Sequence, residues 1–174
     1  MTCERRPTLL LYPIFYFYLS KEATVLLATN VFFRIIPRSE LSQPTYQKEL
    51  VNFLFTALGQ YSDPIEDIYS CLKYIMDDSK GGEVIVATNS QSELCGVVFL
   101  TKTRMESFVP QYLLVYIAVS EKARGQGIGQ GLLEYIKKHI NAPIALHVEH
   151  QNPAKKLYEK LGFTNKYTEM RWYP

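Results

Sequence analysis

The sequence predicts a mixed α/β domain over residues 30–174, with a mostly antiparallel central sheet flanked by about four helices. Three observations carry this. At 174 residues, with 47% hydrophobic and 21% charged side chains, the chain can bury one sizeable core. Its apolar periodicity switches repeatedly between strand-like and helix-like. Finally, three strand-like runs follow one another between residues 83 and 119, which excludes a doubly wound array of alternating strands and helices.

The elements follow in order. Val31–Ile36 is a short apolar run stopped by Pro37, a first strand. Ser42 and Pro44 open a helix in which Leu50, Phe53, Leu54, Ala57 and Leu58 recur at helical spacing up to Gly59. Asp63-Pro64 starts a second, with Ile65, Ile68, Leu72, Ile75 and Met76 on one face, ended by Gly81-Gly82. Glu83–Ala87 and Leu94–Leu100 form a hairpin around polar residues 88–93. Tyr112–Val119 is apolar at nearly every position, as expected of a strand covered on both faces. A helix over Leu132–Ile140 follows, then a strand at Ile144–Val148 and a helix at Asn152–Leu161 capped by Gly162. Thr164–Trp172 has the composition of one or two terminal strands.

Residues 1–29 read as an apolar extension. Arg5 and Arg6 precede Leu9–Leu19, which resembles the start of a signal peptide, but its eleven residues are too few for a bilayer and Pro13 interrupts them. The run is rich in Tyr and Phe, so an extra strand or a docked arm is expected, with the protein in the cytoplasm. Cys3, Cys71 and Cys95 have no metal-type spacing and suit free thiols in a reducing compartment. No two His, Cys or acidic residues show metal-ligand spacing, so no metal is expected. Net charge is +2, too small to imply nucleic acid. Its distribution is uneven: residues 1–121 carry net −3 and residues 122–174 net +5. The basic part suits an anionic ligand, although a solvated face of lysines would look the same.

Within that basic part, Arg124–Gly131 reads R-G-Q-G-I-G-Q-G. Glycines at 125, 127, 129 and 131 strip side chains from the handover between a strand and a helix. Exposed N–H groups beside a helix N-terminus bind phosphate or pyrophosphate. A P-loop is excluded because Lys and Ser/Thr are missing after the last glycine. A dinucleotide loop is excluded because the third glycine of the pattern would fall at Gln130.

Arg124-x-x-Gly127-x-Gly129 fits the pattern [QR]-x-x-G-x-[GA] of acetyl-CoA loops. With its flanks I-A-V-S-E-K-A and L-L, it resembles the GCN5-related N-acetyltransferase (GNAT) superfamily. N-P-A-K-K-L-Y-E-K-L-G-F over Asn152–Phe163 is similar to that family's second coenzyme-binding segment. The resemblance is specific over residues 112–163, looser over 31–111, and does not reach 1–30. It implies a GNAT-like fold, acetyl-CoA as acyl donor, and direct attack by an amine in a ternary complex.

The resemblance also assigns residues. The pyrophosphate would sit on the backbone of Arg124, Gly125, Gln126, Gly127, Ile128, Gly129 and Gln130. The backbone of Ile117, Ala118 and Val119 would face the thioester carbonyl, where negative charge develops. Tyr158 matches the tyrosine that protonates the departing sulfur, and would otherwise be a core tyrosine. Asn152 matches a coenzyme contact and equally suits an N-cap before Pro153. It lies one residue closer to Tyr158 than in many members of the family. His147 falls where the family's ribosomal-protein acetyltransferases carry a catalytic Glu, so it is the candidate base, with Glu149 or Glu83 as alternatives. His147 and Glu149 alternate along their strand and share a face.

The acceptor would be an amine on a small molecule, a protein N-terminus or a lysine, shaped by Leu41–Asp78 and the 101–111 loop. Asp63, Glu66, Asp67, Asp77 and Asp78 could attract a cation or simply form a solvated rim. No nucleic-acid or membrane partner is expected, and the chain would be a monomer or homodimer. The competing expectation is a domain of the same fold that binds acyl-CoA without turnover.

Overall fold

The computed structural model describes residues 30–105 and 107–174. The expectations for the arm at 1–29, including Leu9–Leu19 and Cys3, lie outside the described residues. β1 (Phe32–Ile35) leads into a single helical turn, α1 (Arg38–Leu41), and then α2 (Pro44–Leu58) and α3 (Ile65–Met76). β2 (Gly82–Thr88), β3 (Leu94–Lys102) and β4 (Tyr112–Val119) follow in succession. A 3-10 turn at Glu121–Ala123, α4 (Ile128–His139), β5 (Ile144–Leu146) and α5 (Ala154–Lys160) complete the order.

One five-stranded sheet has the order β1-β2-β3-β4-β5, antiparallel except for the parallel pair β4–β5. The helices cover both faces. α2 and α3 bury Leu50, Val51, Leu54, Ile68, Leu72 and Ile75 against Val84, Val86, Val97 and Phe99. Each such side chain removed from water contributes about 1.5–3 kcal/mol. Local signals set these helices in place. Pro44 occupies the first turn of α2, and Glu66 and Asp67 sit at the positive end of α3. On the other face α4 buries Ile128, Leu132, Leu133 and Ile136 against Ile85, Val98, Leu100 and Leu114, joined by Tyr158 of α5.

β4 contains a bulge. Phe99 pairs with Tyr116 and Leu100 with Leu114, so Val115 is an extra residue. The insertion reverses which side chains face which layer. Leu114 faces α4, whereas beyond the bulge Tyr116 and Ala118 face α2 and α3. Ile117 and Val119 turn toward α4 and α5.

Three expectations need correction. α4 begins at Ile128, not Leu132, so Gly129 and Gly131 lie in its first turn and only Gly125 and Gly127 belong to the loop. β5 stops at Leu146, two residues short of the predicted Val148. Thr164–Trp172 forms no strand. Tyr167, Met170, Trp172 and Tyr173 remain exposed there, and the three residues of β5 offer only a short edge for pairing. Strand-forming composition without burial does not hold a strand.

Candidate functional site

β5 pairs with β4 only at Tyr112–Leu114. From Val115 to Val119 the outer edge of β4 has no strand beside it among the described residues. The bulge and the end of β5 thus open the sheet at one place, and the opening connects its two faces. Ile117, Ala118 and Val119 run along it.

At the far end of β4 the chain makes the 3-10 turn and enters the glycine loop. Gly125 and Gly127 take left-handed backbone, with φ of 76° and 80°. The first helical hydrogen bond of α4 is donated by Gly131 to the Gly127 carbonyl, at 2.9 Å. No side chain caps this helix. The N–H groups of Gly125, Gln126, Gly127, Ile128, Gly129 and Gln130 therefore donate to no acceptor among the described residues. Such a run of unpaired N–H groups at a helix N-terminus has the chemistry of a pyrophosphate cradle. Gly129 leaves this space open: a Cβ there would lie in contact with Leu157 Cδ2 at 3.4 Å and Val119 Cγ2 at 3.7 Å.

The loop side chains hold its frame. Arg124 donates through Nη2 to the Ala57 carbonyl at 2.6 Å and through Nε to the Val119 carbonyl at 3.4 Å, tying the end of α2 to the end of β4. Gln126 donates to the Lys122 carbonyl at 3.2 Å. Gln130 bridges Glu134 and Lys160, and so α4 and α5. Ile128 is buried.

α5 lies against the first turn of α4 and brings Tyr158 into the same layer as Ile117 and Val119. Tyr158 is 7% exposed and packs edge-on against Phe163. Its hydroxyl has no hydrogen-bond partner among the described residues, and burial pushes it up to about 12. The Asn152 side chain accepts from the Ala154 N–H at 2.9 Å, the capping role, with Pro153 at the start of the helix.

His147 and Glu149 both lie past the end of β5 and are exposed, with Val148 turned to the core between them. The expected alternation therefore persists beyond the strand. His147 Nε2 lies 3.8 Å from Glu169 Oε2 of the C-terminal segment, so the structure brings His147 to Glu169 rather than to Tyr158. Glu83 sits on β2, separated from β4 by β3. Burial raises its carboxyl above the usual range, against the nearby Lys102 and Arg38.

One polar pair escaped the sequence analysis. Tyr116, 7% exposed, donates to Asp63 Oδ2 at 2.7 Å, joining β4 to the loop before α3. Burial first, and the Asp63 carboxylate second, hold this hydroxyl well above the ordinary tyrosine range. The available signal was a phenol, Tyr116, in the middle of a strand that is otherwise aliphatic after Tyr112. A cavity of about 680 Å³ also borders the loop, between the β2–β3 turn and the 3-10 turn. No residue of β5 or α5 lines it, so it is separate from the opening beside β4.

A family model described as an acetyltransferase (GNAT) domain matches residues 80–165. No curated protein matches the chain. Among solved structures, a possible acetyltransferase from Clostridium difficile 630 aligns with a TM-score of 0.61 at 18% identity, covering 83% of this chain and 97% of its own. An aminoglycoside N-acetyltransferase, AAC(6')-Iy, in complex with CoA aligns with a TM-score of 0.60 at 14% identity, over 86% and 98%. A putative acetyl transferase from Pyrococcus furiosus gives 0.54 at 24%, over 82% and 99%. An open five-stranded sheet with a glycine loop feeding a helix N-terminus defines the class of fold, a mixed α/β domain. Over residues 80–165 the chain is thus a GNAT acetyltransferase domain.

Proposed function

We propose that the chain is a cytoplasmic N-acetyltransferase, with residues 30–174 as its catalytic domain, that passes the acetyl group of acetyl-CoA directly to an amine. The single observation that carries this reading is the run of unpaired N–H groups over Gly125–Gln130 at the end of an opened β4. Those groups would take the pyrophosphate, and Asn152 at the start of α5 would contact the coenzyme. The backbone of Ile117–Val119 would line the thioester and polarise its carbonyl as the amine attacks. Tyr158 would hand its proton to the departing thiolate. Its buried hydroxyl keeps that proton throughout the neutral range and has no competing partner among the described residues. His147 would take a proton from the incoming amine, directly or with Glu149 through water. CoA leaves as the thiol and the acceptor as an amide, with no covalent enzyme intermediate.

The acceptor is an amine of a small molecule or of a peptide, the chain acts as a monomer or homodimer, and no metal takes part. Steady-state release of free CoA across a panel of amines and peptides tests the reading. Tight acetyl-CoA binding without release on any acceptor would instead leave a binding domain of the same fold.

A further inference from the structure

Tyr116 and Asp63 lie on the opposite face of the sheet from Tyr158, at the same opening. Several independent features converge there. The bulge at Val115 turns Tyr116 toward α2 and α3 and places it one residue before Ile117. Arg124 fixes the C-terminal end of α2 to the loop through Ala57, so the connection into α3 that carries Asp63 crosses beside β4. Tyr116 packs edge-on against Phe99, which holds its ring in place. Asp63 is exposed and has no basic partner among the described residues, in contrast to Asp77 and Asp78, which pair with Lys80 and Arg38. The carboxylate thus reaches solvent while it touches a phenol deep in the core.

The geometry points to Asp63 and Tyr116 as the seat of the acceptor, which enters as an aliphatic ammonium cation from the α2–α3 face. This rests on the acetyltransferase reading. Ionised Asp63 uses Oδ2 for the tyrosine hydroxyl and keeps Oδ1 for an ammonium N–H. Because the Tyr116 proton is committed to Asp63, the hydroxyl oxygen can only accept, and a second ammonium N–H fits it. The coenzyme lies on the α4–α5 face, so the two substrates meet through the opening in the sheet. An arylamine, uncharged at pH 7, gains nothing from the carboxylate.

The test uses the full chain. Calorimetric titration with putrescine, spermidine and kanamycin, in the presence of CoA, reads ammonium binding, with aniline as the uncharged amine. The same amines with acetyl-CoA read turnover. Asp63→Asn is expected to weaken binding and raise KM for the ammonium amines roughly tenfold or more, and to leave aniline unchanged. Tyr116→Phe keeps the ring against Phe99 and should give a smaller loss of the same selectivity. Asp63→Glu should restore part of it, and Asp67→Asn, on the exposed side of α3, should change nothing. Equal turnover by the wild type and Asp63→Asn overturns the seat and leaves the acetyltransferase reading intact. Ammonium binding that needs Asp63, with no CoA release on any amine, keeps the seat and overturns the acetyltransferase reading. No binding of any ammonium amine overturns the seat.

Discussion

Tyr158, buried, and Cys71, half-buried, are groups whose neutral forms the fold protects, with different consequences. For Tyr158 the protection would serve the proposed chemistry, since a phenol without a competing partner among the described residues is a ready donor to a leaving thiolate. Tyr158→Phe removes only the hydroxyl and keeps the edge-on packing against Phe163. It should lower kcat by roughly 100-fold or more while the acetyl-CoA dissociation constant stays within about twofold, read by stopped-flow turnover and by titration. Cys71, on α3, is pushed up from 9.0 to about 12, first by burial and then by Asp63. Unfolded chain therefore loses the thiol proton from about pH 9, whereas the folded chain keeps it to about pH 12. Between those values the unfolded state binds fewer protons, so stability falls as pH rises. Urea unfolding from pH 8 to 10.5 should show that fall, and Cys71→Ala should make it shallower. If the slope is the same in both proteins, the fall belongs to other groups.

At the scale of elements, β4 and the start of α4 decide what the sheet can hold. Gly127 and Gly129 have different roles, and substitution separates them. A Cβ on Gly127 meets nothing within 4 Å, so Gly127→Ala costs only its left-handed backbone, about 1–2 kcal/mol. Gly127→Asn, which tolerates that conformation, should recover much of the loss in a thermal melt. Gly129 has helical backbone, and a Cβ there makes ordinary contact with Leu157. Gly129→Ala should therefore be neutral or raise stability by about 0.5–1 kcal/mol, yet weaken acetyl-CoA binding by narrowing the cradle. The loop was legible because its glycine spacing is a property of consecutive residues. The true start of α4 was not, because two glycines in a first turn oppose local propensity, and only packing of Ile128 and Leu132 on the sheet outweighs them. The bulge at Val115 was invisible for a related reason: register exists only between two strands, and Val115 reads as one more apolar residue until Phe99 and Leu100 are set beside it. Tyr116 therefore looked like core, and its bond to Asp63, fifty-three residues away, had no local signature. Thr164–Trp172 misled in the opposite direction. Its aromatic and β-branched residues suit a strand, but the fold gives them nothing to cover.

At the scale of the whole molecule, charge and linkage bear on the same ligand. Net +5 over residues 122–174 against net −3 over residues 1–121 makes the part that holds the glycine loop attractive to an anion. Neutral N–H groups would supply the close contacts and the lysines a longer-ranged field, which salt screens over about 8–10 Å. Raising ionic strength should therefore slow acetyl-CoA association more than it speeds dissociation. Because the cradle joins β4, α4 and α5, and Arg124 ties it to α2, occupation would restrain elements from both layers. A ligand that binds only the folded state stabilises it by about 2.7 kcal/mol at a concentration 100 times its dissociation constant. For a chain of 174 residues that raises Tm by roughly 5–10 °C. Differential scanning fluorimetry with acetyl-CoA should show this rise in the wild type and in Tyr158→Phe, whose cradle is intact. In Gly127→Ala, compared at the same ligand concentration, the rise should be largely lost. An equal rise in Gly127→Ala would place the pyrophosphate elsewhere than on the N–H groups of residues 125–130.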